Sequence, residues 1–300
     1  MRFSVIIATK DRPESLQLCL ESFRELEYPS GDWELILVND GGESTYAGVT
    51  PAQKEALPLT LLNAPQSGGP GSARNLGARA ARGEYLAFTD DDCRVAPDWL
   101  SQYELLLSTG GWDAAGGLSL NPYPGNQASE AWNSLIAFLY KYWHDDRGNV
   151  IMIVSNNAAV RRDVFLTLGG FDQSFGTTAS EDRELSYRLL ANGYRQTFCP
   201  EARVWHHQLN PTTWNYIRTQ FRYGRGGAFF LEKIEEKSIK DAVRIEPQGH
   251  PVYPIALWRA MIDERKSLGL ILMITIGQIA HRLGRIYETT RRKNRSSSRE

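Results

Sequence analysis

The chain has 300 residues, 42% of them hydrophobic, and a formal net charge of −1. That length buries a sizeable core in one large domain or two fused ones, and the balanced charge argues against a dedicated nucleic-acid binder, which is normally basic throughout. Three cysteines, Cys19, Cys93 and Cys199, stand far apart with no CxxC pair, which speaks against a zinc site and for a reducing compartment.

The first apolar run, SVIIAT (Ser4–Thr9), is followed at once by Lys10-Asp11-Arg12. It is too short for a signal peptide and reads as a strand of a cytosolic protein. PESLQLCLESF then places Leu16, Leu20 and Phe23 on one helical face. Two further strands are predicted at LILVND (Leu35–Asp40) and LTLLN (Leu59–Asn63). SARNLGARAAR, rich in Ala and Arg, reads as a helix ending at Gly83, and YLAFTD (Tyr85–Asp90) as a fourth strand. Continuous rather than alternating hydrophobicity suits strands buried on both faces, as in a parallel sheet. Alternating strands and helices predict a doubly wound α/β layer. Three of the strands run out into polar tips, Thr9-Lys10-Asp11, Asn39-Asp40-Gly41-Gly42 and Thr89-Asp90-Asp91-Asp92. Ligands of open α/β sheets bind at that carboxyl edge.

Past Asp113 the texture changes. Residues 118–150 are rich in aromatics (Tyr123, Trp132, Tyr140, Tyr142, Trp143), which fill a core or stack on a sugar. LEKIEEKSIKD reads as a charged, solvated helix. Residues 261–300 hold nine Lys/Arg against four Asp/Glu, so the tail is +5 and the rest of the chain −6. Within it SLGLILMITIGQIA, Ser267 to Ala280, is shorter than the roughly 20 apolar residues a spanning helix needs. Its basic flanks suit an anionic membrane surface; packing on the protein's own core is the alternative. The terminal SSSRE is expected to fray.

Four stretches carry residues suited to chemistry. The oxygen-only triplet Asp90-Asp91-Asp92 suits Mg²⁺ or Mn²⁺, or is a solvated acidic turn. GGPGSAR (Gly68–Arg74) lacks the Lys-Ser/Thr of a Walker loop and the third glycine of a dinucleotide fingerprint. Glycines opening a helix still offer amides to an anion, and Arg74 adds a forked donor. In TASEDRELSYRLL, Thr178 and Glu181 have capping-box spacing, with Ser180 as a competing cap. Asp182 shares the inward face with Leu185 and Leu189, as a catalytic base or a dipole partner. Glu184 and Arg188 form an i,i+4 pair read as surface support. In RVWHHQ either histidine can ligate a metal.

In this order the stretches SVIIATKDRPESLQLCLESF, ELILVNDGG, GGPGSARNLGARAARGEYLAFTDDDCR, GGFDQSFGTTASEDRELSYRL and VWHH resemble family 2 glycosyltransferases of the GT-A fold, over roughly residues 3–225. The resemblance implies a Rossmann-like, mostly parallel central sheet flanked by helices, with a fused acceptor subdomain and C-terminal helices. It implies a nucleotide-diphosphate sugar donor of the UDP, dTDP or GDP type, a glycan or lipid-linked acceptor, Mn²⁺ or Mg²⁺, and inversion at the anomeric carbon. By position, Thr9, Asp11 and Asp40 match nucleoside contacts and Arg74 the basic residue beside base and phosphate. Asp90 and Asp92 match the DxD pattern, Asp92 as metal ligand and Asp90 nearer the sugar, with Asp91 also on the nucleotide-sugar side. Asp182 matches the catalytic base. The histidine that completes the metal site is expected at His207, with His206 as the alternative; Glu181 and Asn157 are further possible site residues.

Processive synthases of this type carry Gln-x-x-Arg-Trp and several membrane spans. Gln220-Phe221-Arg222-Tyr223 is one residue short and ends in Tyr, so transfer of one or a few sugars is expected. The expected division is a nucleotide-sugar-binding part over 1–117, an acceptor part over 118–225 and a helical extension over 226–300. The rival readings are a sugar nucleotidyltransferase and a catalytically degenerate sugar-binding protein. The first lacks its Pro-Lys signature here; against the second, the carboxylates for metal and base are all present.

Overall fold

The computed structural model describes residues 1–208, 211–237, 239, 243 and 253–297. Eight strands form one sheet in the order β3-β2-β1-β4-β7-β6-β8-β5. The four predicted strands are β1 (Phe3–Thr9), β2 (Trp33–Asn39), β3 (Leu59–Asn63) and β4 (Tyr85–Asp90), all mutually parallel. Helices α1 (Pro13–Arg24), α2 (Pro51–Ala56) and α3 (Pro70–Ala80) connect them. The run of buried residues on β1 and β2 follows from its cause: α1 covers one face of the sheet and α3 the other, so each face has its own apolar cluster. β1 continues into β2 on one side and β4 returns to its other side, so the tips after β1 and β4 meet at the topological switch point.

The second half inserts rather than extends. β5 (Cys93–Val95) and α4 (Trp99–Thr109) lead to β6 (Ala114–Leu120) and α5 (Gln127–Tyr142). β7 (Asn157–Arg161) then lies antiparallel between β4 and β6. Its direction brings Asn157 opposite Thr89, so the preceding loop joins the strand tips. α6 (Arg162–Thr167) and α7 (Glu181–Ala191) follow, then β8 (Gln196–His206), parallel to β6 and antiparallel to β5.

α8 (Thr213–Glu236), α9 (Tyr253–Asp263) and α10 (Leu268–Ser297) complete the chain. The expected join at 225/226 falls inside α8, which runs unbroken across it. α5, α8, α9 and α10 share an apolar cluster containing Leu135, Phe138, Leu257, Met261, Leu270 and Ile274. Phe138 and Tyr140 are buried, as core-filling aromatics should be. Two expectations on charged residues are corrected. Glu184 is fully buried and bound by Arg188 (2.6 Å) and Lys237 (2.7 Å), so the Glu184–Arg188 pair is interior, not surface support. Ile234 is buried and Lys237 spends its charge on Glu184 and Asp172, so the stretch read as solvated packs one side on the body. Of the SSSRE expected to fray, Ser296 and Ser297 continue α10, and residues 298–300 lie outside the described residues.

Candidate active site

The strand tips are tied together by their own charges. Thr9 Oγ1 donates to Asp91 Oδ2 at 2.7 Å, and both residues are buried. Arg12 reaches Asp91 Oδ1 at 3.1 Å and Asp92 Oδ2 at 3.4 Å. Burial pushes the Asp91 carboxyl up to about 6 against the opposing pull of Arg12. Thr9 and Asp91, expected at the nucleotide, are thus engaged with each other below the surface. Asp11, at φ 49, accepts the Ser44 N–H (3.1 Å) and donates its own N–H to Thr45 Oγ1 (2.9 Å), joining the β1 tip to the turn after β2.

Asp40 explains the glycine-rich loop. Its carboxylate accepts the N–H groups of Gly68 (2.9 Å) and Gly69 (3.1 Å) and the Ser67 hydroxyl (3.1 Å). The amides offered to a phosphate therefore hold an anion the chain itself supplies; such a nest is indifferent to which anion fills it. The loop is also pressed against the segment before α7. A Cβ on Gly69 (φ 86) would lie 1.9 Å from the Gly176 carbonyl, and one on Gly226 of α8 2.3 Å from the Ala179 carbonyl. Gly69→Ala combines a left-handed φ with that collision, so a loss of about 1–3 kcal/mol is expected. At roughly 2–4 °C per kcal/mol, thermal denaturation will read it as a drop of several degrees.

Pressed from both sides, Ser180 adopts φ 92 and ψ 12 at the N-cap of α7, and its side chain caps nothing. The predicted capping box does not form: the Thr178 N–H is used in a turn to Phe175 O at 2.8 Å. What the strained entry achieves is presentation of Glu181 and Asp182. Arg74, buried, joins Asp90 (2.5 Å) to Glu181 (3.4 Å), so one guanidinium locks the β4 tip to the α7 tip. Burial and the adjacent Asp182 charge push Glu181 up to about 7. Asp182 accepts the N–H groups of Arg183 (2.8 Å) and Ser155 (3.3 Å) beside the apolar side chains of Phe88, Ile153, Phe171 and Leu185. That burial raises its carboxyl above the usual range. A carboxylate held this way is a stronger base than a solvated one.

The two histidines part where β8 ends, as successive side chains of a strand leave opposite faces. His206 pairs across the ladder with Cys93 and brings Nε2 to 3.3 Å from Asp92 Oδ1. His207, expected at the metal, instead stands edge-on to Tyr123, although its N–H donates to the Asp92 carbonyl at 2.7 Å. His206 Nδ1 lies 3.3 Å from Nδ2 of Asn156, which fixes its ring. Asn157 is saturated: its Oδ1 accepts from Trp99 and Tyr103, and its Nδ2 donates to the Leu118 and Ala202 carbonyls. It bolts the sheet to α4 and has no valence left for substrate.

The residues present fit a divalent cation. Asp92, His206 and Cys93 offer ligand atoms all within 4.8 Å of one another. Asp92 Oδ1 is buried, with His206 Nε2 at 3.3 Å outside good hydrogen-bond geometry. Burial pushes the Cys93 thiol well above its ordinary range, and oxygen ligands suit a hard cation better than a thiol does. A carboxylate with an imidazole suits Mn²⁺ better than Mg²⁺. Sequence reasoning missed Arg12, Ser155 and Asn156. Only Arg12 left a signal: a cation at a strand tip of an acidic cluster.

Aspartates at three parallel strand tips face a carboxylate pair across a buried arginine, on a fold shared with solved glycosyltransferases. The chain superposes over 93% of its length on 73% of the mannosyltransferase PcManGT of Pyrobaculum calidifontis, solved with GDP-Man and Mn²⁺, at a TM-score of 0.61 and 20% identity. It also matches the 1–349 fragment of S. aureus TarS, solved with UDP, over 98% of this chain and 92% of that one, at a TM-score of 0.55 and 17% identity. By sequence it is 29% identical over 240 residues to glycosyltransferase AglE of Haloferax volcanii, covering 79% of this chain and 77% of AglE. An N-acetylglucosaminyltransferase of Mesorhizobium japonicum is 25% identical over 244 residues, and that match takes in 74% of this chain but 54% of the longer relative. Residues 4–169 match glycosyl transferase family 2. The chain belongs to that family and is a glycosyltransferase.

Proposed function

We propose that the enzyme moves one sugar from a nucleotide-diphosphate sugar of the UDP, dTDP or GDP type to an acceptor hydroxyl on a glycan or a lipid-linked precursor, with inversion and with help from Mn²⁺. The observation that carries this reading is the Arg74 bridge, which holds the Glu181–Asp182 pair beside the Asp90–Asp92 tip. Glycosyl transfer by single displacement needs those two functions at close quarters. Breaking the anomeric C–O bond leaves negative charge on the departing diphosphate, and Asp92 with His206 would hold the cation that neutralises it. Arg12, already against Asp91 and Asp92, is positioned to exchange its carboxylates for phosphate oxygens when donor enters. Asp182 takes the acceptor hydroxyl's proton as that oxygen attacks. Asp40 and Asp11 order the loops on which the nucleoside rests, and Asp90 lies nearest the sugar.

Location is proposed as cytoplasmic, at the inner face of the membrane. Among the described residues no helix is long and apolar enough to cross one, which fits transfer of single sugars better than export of a growing chain.

A thermal-shift panel of UDP, GDP, dTDP and CDP, each with and without Mn²⁺, tests the donor assignment. Binding to the folded state raises the melting temperature, so at least one nucleotide should do so in a Mn²⁺-dependent way. If none of the four stabilises the protein, the nucleotide-sugar reading falls.

A further inference from the structure

Amphipathic helices normally bury one apolar face and give the opposite face to polar residues. α10 departs from this. Its inner face packs Leu270, Met273, Ile274 and Ala280 against the body. At about 100° per residue, Leu268, Leu272, Ile279, Leu283 and Ile286 fall within one narrow stripe on the opposite side, and all are exposed, Leu268 at 82%. α9 repeats the arrangement: Leu257, Ala260 and Met261 point in, while Ile255, Trp258 and Ile262 form an exposed stripe. Of the fifteen large apolar side chains exposed among the described residues, nine belong to these two helices. Such concentration marks a contact surface, since scattered exposure is the ordinary case.

Charge identifies what the surface contacts. Arg259 flanks the α9 stripe, Arg265 lies in the turn between the helices, and Arg282 and Arg285 border the α10 stripe; all four are exposed. Between residues 265 and 287 the sequence contains no Asp or Glu. A protein partner would call for mixed or complementary detail; exposed Asp263 and Glu264 close α9, the latter paired with Lys141 at 2.7 Å, but the α10 stripe is bordered on its own helix by cations alone, which matches an acyl layer beneath anionic headgroups. We infer that the outer face of α9 and α10 docks the enzyme on an anionic phospholipid bilayer, with Trp258, Ile262, Leu268 and Leu272 entering the acyl boundary and the arginines meeting the headgroups. The inference deepens the proposed membrane location and rests on it.

Co-sedimentation of the full chain with vesicles tests it, using phosphatidylcholine alone and phosphatidylcholine with phosphatidylglycerol, at low and high salt. The protein should pellet with the anionic vesicles at low salt and dissociate as salt screens the headgroups. Each arginine near the surface contributes about 5-fold to binding, so Arg282→Gln/Arg285→Gln should weaken it roughly 30-fold. Leu272→Glu/Ile279→Glu, at exposed positions, should abolish it with an unchanged circular dichroism spectrum. Absence of binding to anionic vesicles at low salt would overturn the inference. So would a glutamate double variant that binds like the wild type, or light scattering showing that a second copy covers this face and is released by that variant. Nucleotide binding measured on the same samples keeps the two readings apart: a protein that binds nucleotide but no vesicle loses only the docking surface.

Discussion

Asp182→Asn should lower turnover by roughly 10²–10⁴-fold, the usual worth of general-base catalysis, while donor affinity stays near its original value. Asparagine preserves the outline of the side chain and can still accept one of the two N–H groups, from Arg183 or Ser155, that hold the carboxylate. It cannot take a proton. The loss of charge at the start of α7 costs about 0.3–1 kcal/mol of stability, far too little to account for such a rate change. The pH profile supplies a second readout. Burial raises the Asp182 carboxyl, and the base works only when ionised. Turnover of the parent enzyme should therefore fall as pH drops through that raised value, above the ordinary aspartate figure of about 3.9. Parallel measurement of turnover, donor affinity and melting temperature separates the roles: near-normal turnover would reduce Asp182 to a capping charge.

Asp92→Asn should abolish the Mn²⁺-dependent part of nucleotide binding. Loss of a residue that only orients a metal ligand typically costs 10–100-fold in affinity, and loss of a ligand should exceed that range. Asparagine also leaves Arg12 with Asp91 as its remaining carboxylate partner at this tip, so the metal-independent part of binding should change much less. His206→Ala should reproduce the defect and His207→Ala should not, because only the His206 ring stands against Asp92. Calorimetric titration of UDP and GDP, with and without Mn²⁺, reads all three variants. Unchanged Mn²⁺-dependent affinity in a folded Asp92→Asn protein would remove this cluster from the metal site.

How much of this was legible in the sequence depended on which partner created the signal. β1, β2 and β4 announce themselves because burial on both faces demands unbroken apolar runs. β6 and β7 are built from alanine and glycine (AAGGLSL and NAAVR). Their strand character comes from neighbours far along the chain, so no local pattern reveals them. β8 contains Pro200, and its register against β6 passes from Cys199 to Arg203, which breaks the alternation a reader would look for. At the site, the aspartates were visible as a run of three charges at a strand tip. Their partners, Arg12, Arg74 and His206, come from three other elements. The capping box failed although spacing favoured it: Ser180, not Thr178, stands at the N-cap, in a left-handed conformation between segments packed closely on Gly69 and Gly226. Choosing between His206 and His207 required the face of β8 that meets β5, which a doublet cannot disclose.

In the proposed function this site breaks the bond between a sugar and a nucleoside diphosphate. The most direct measurement is product release from UDP-, GDP- and dTDP-sugars, assayed with Mn²⁺ and with chelator, on the parent protein and on Asp92→Asn. Mn²⁺-dependent liberation of nucleoside diphosphate, to acceptor or slowly to water, and its loss in the variant, is the predicted result. Release of pyrophosphate instead, or no cleavage of any donor by protein that binds its nucleotide, would contradict it.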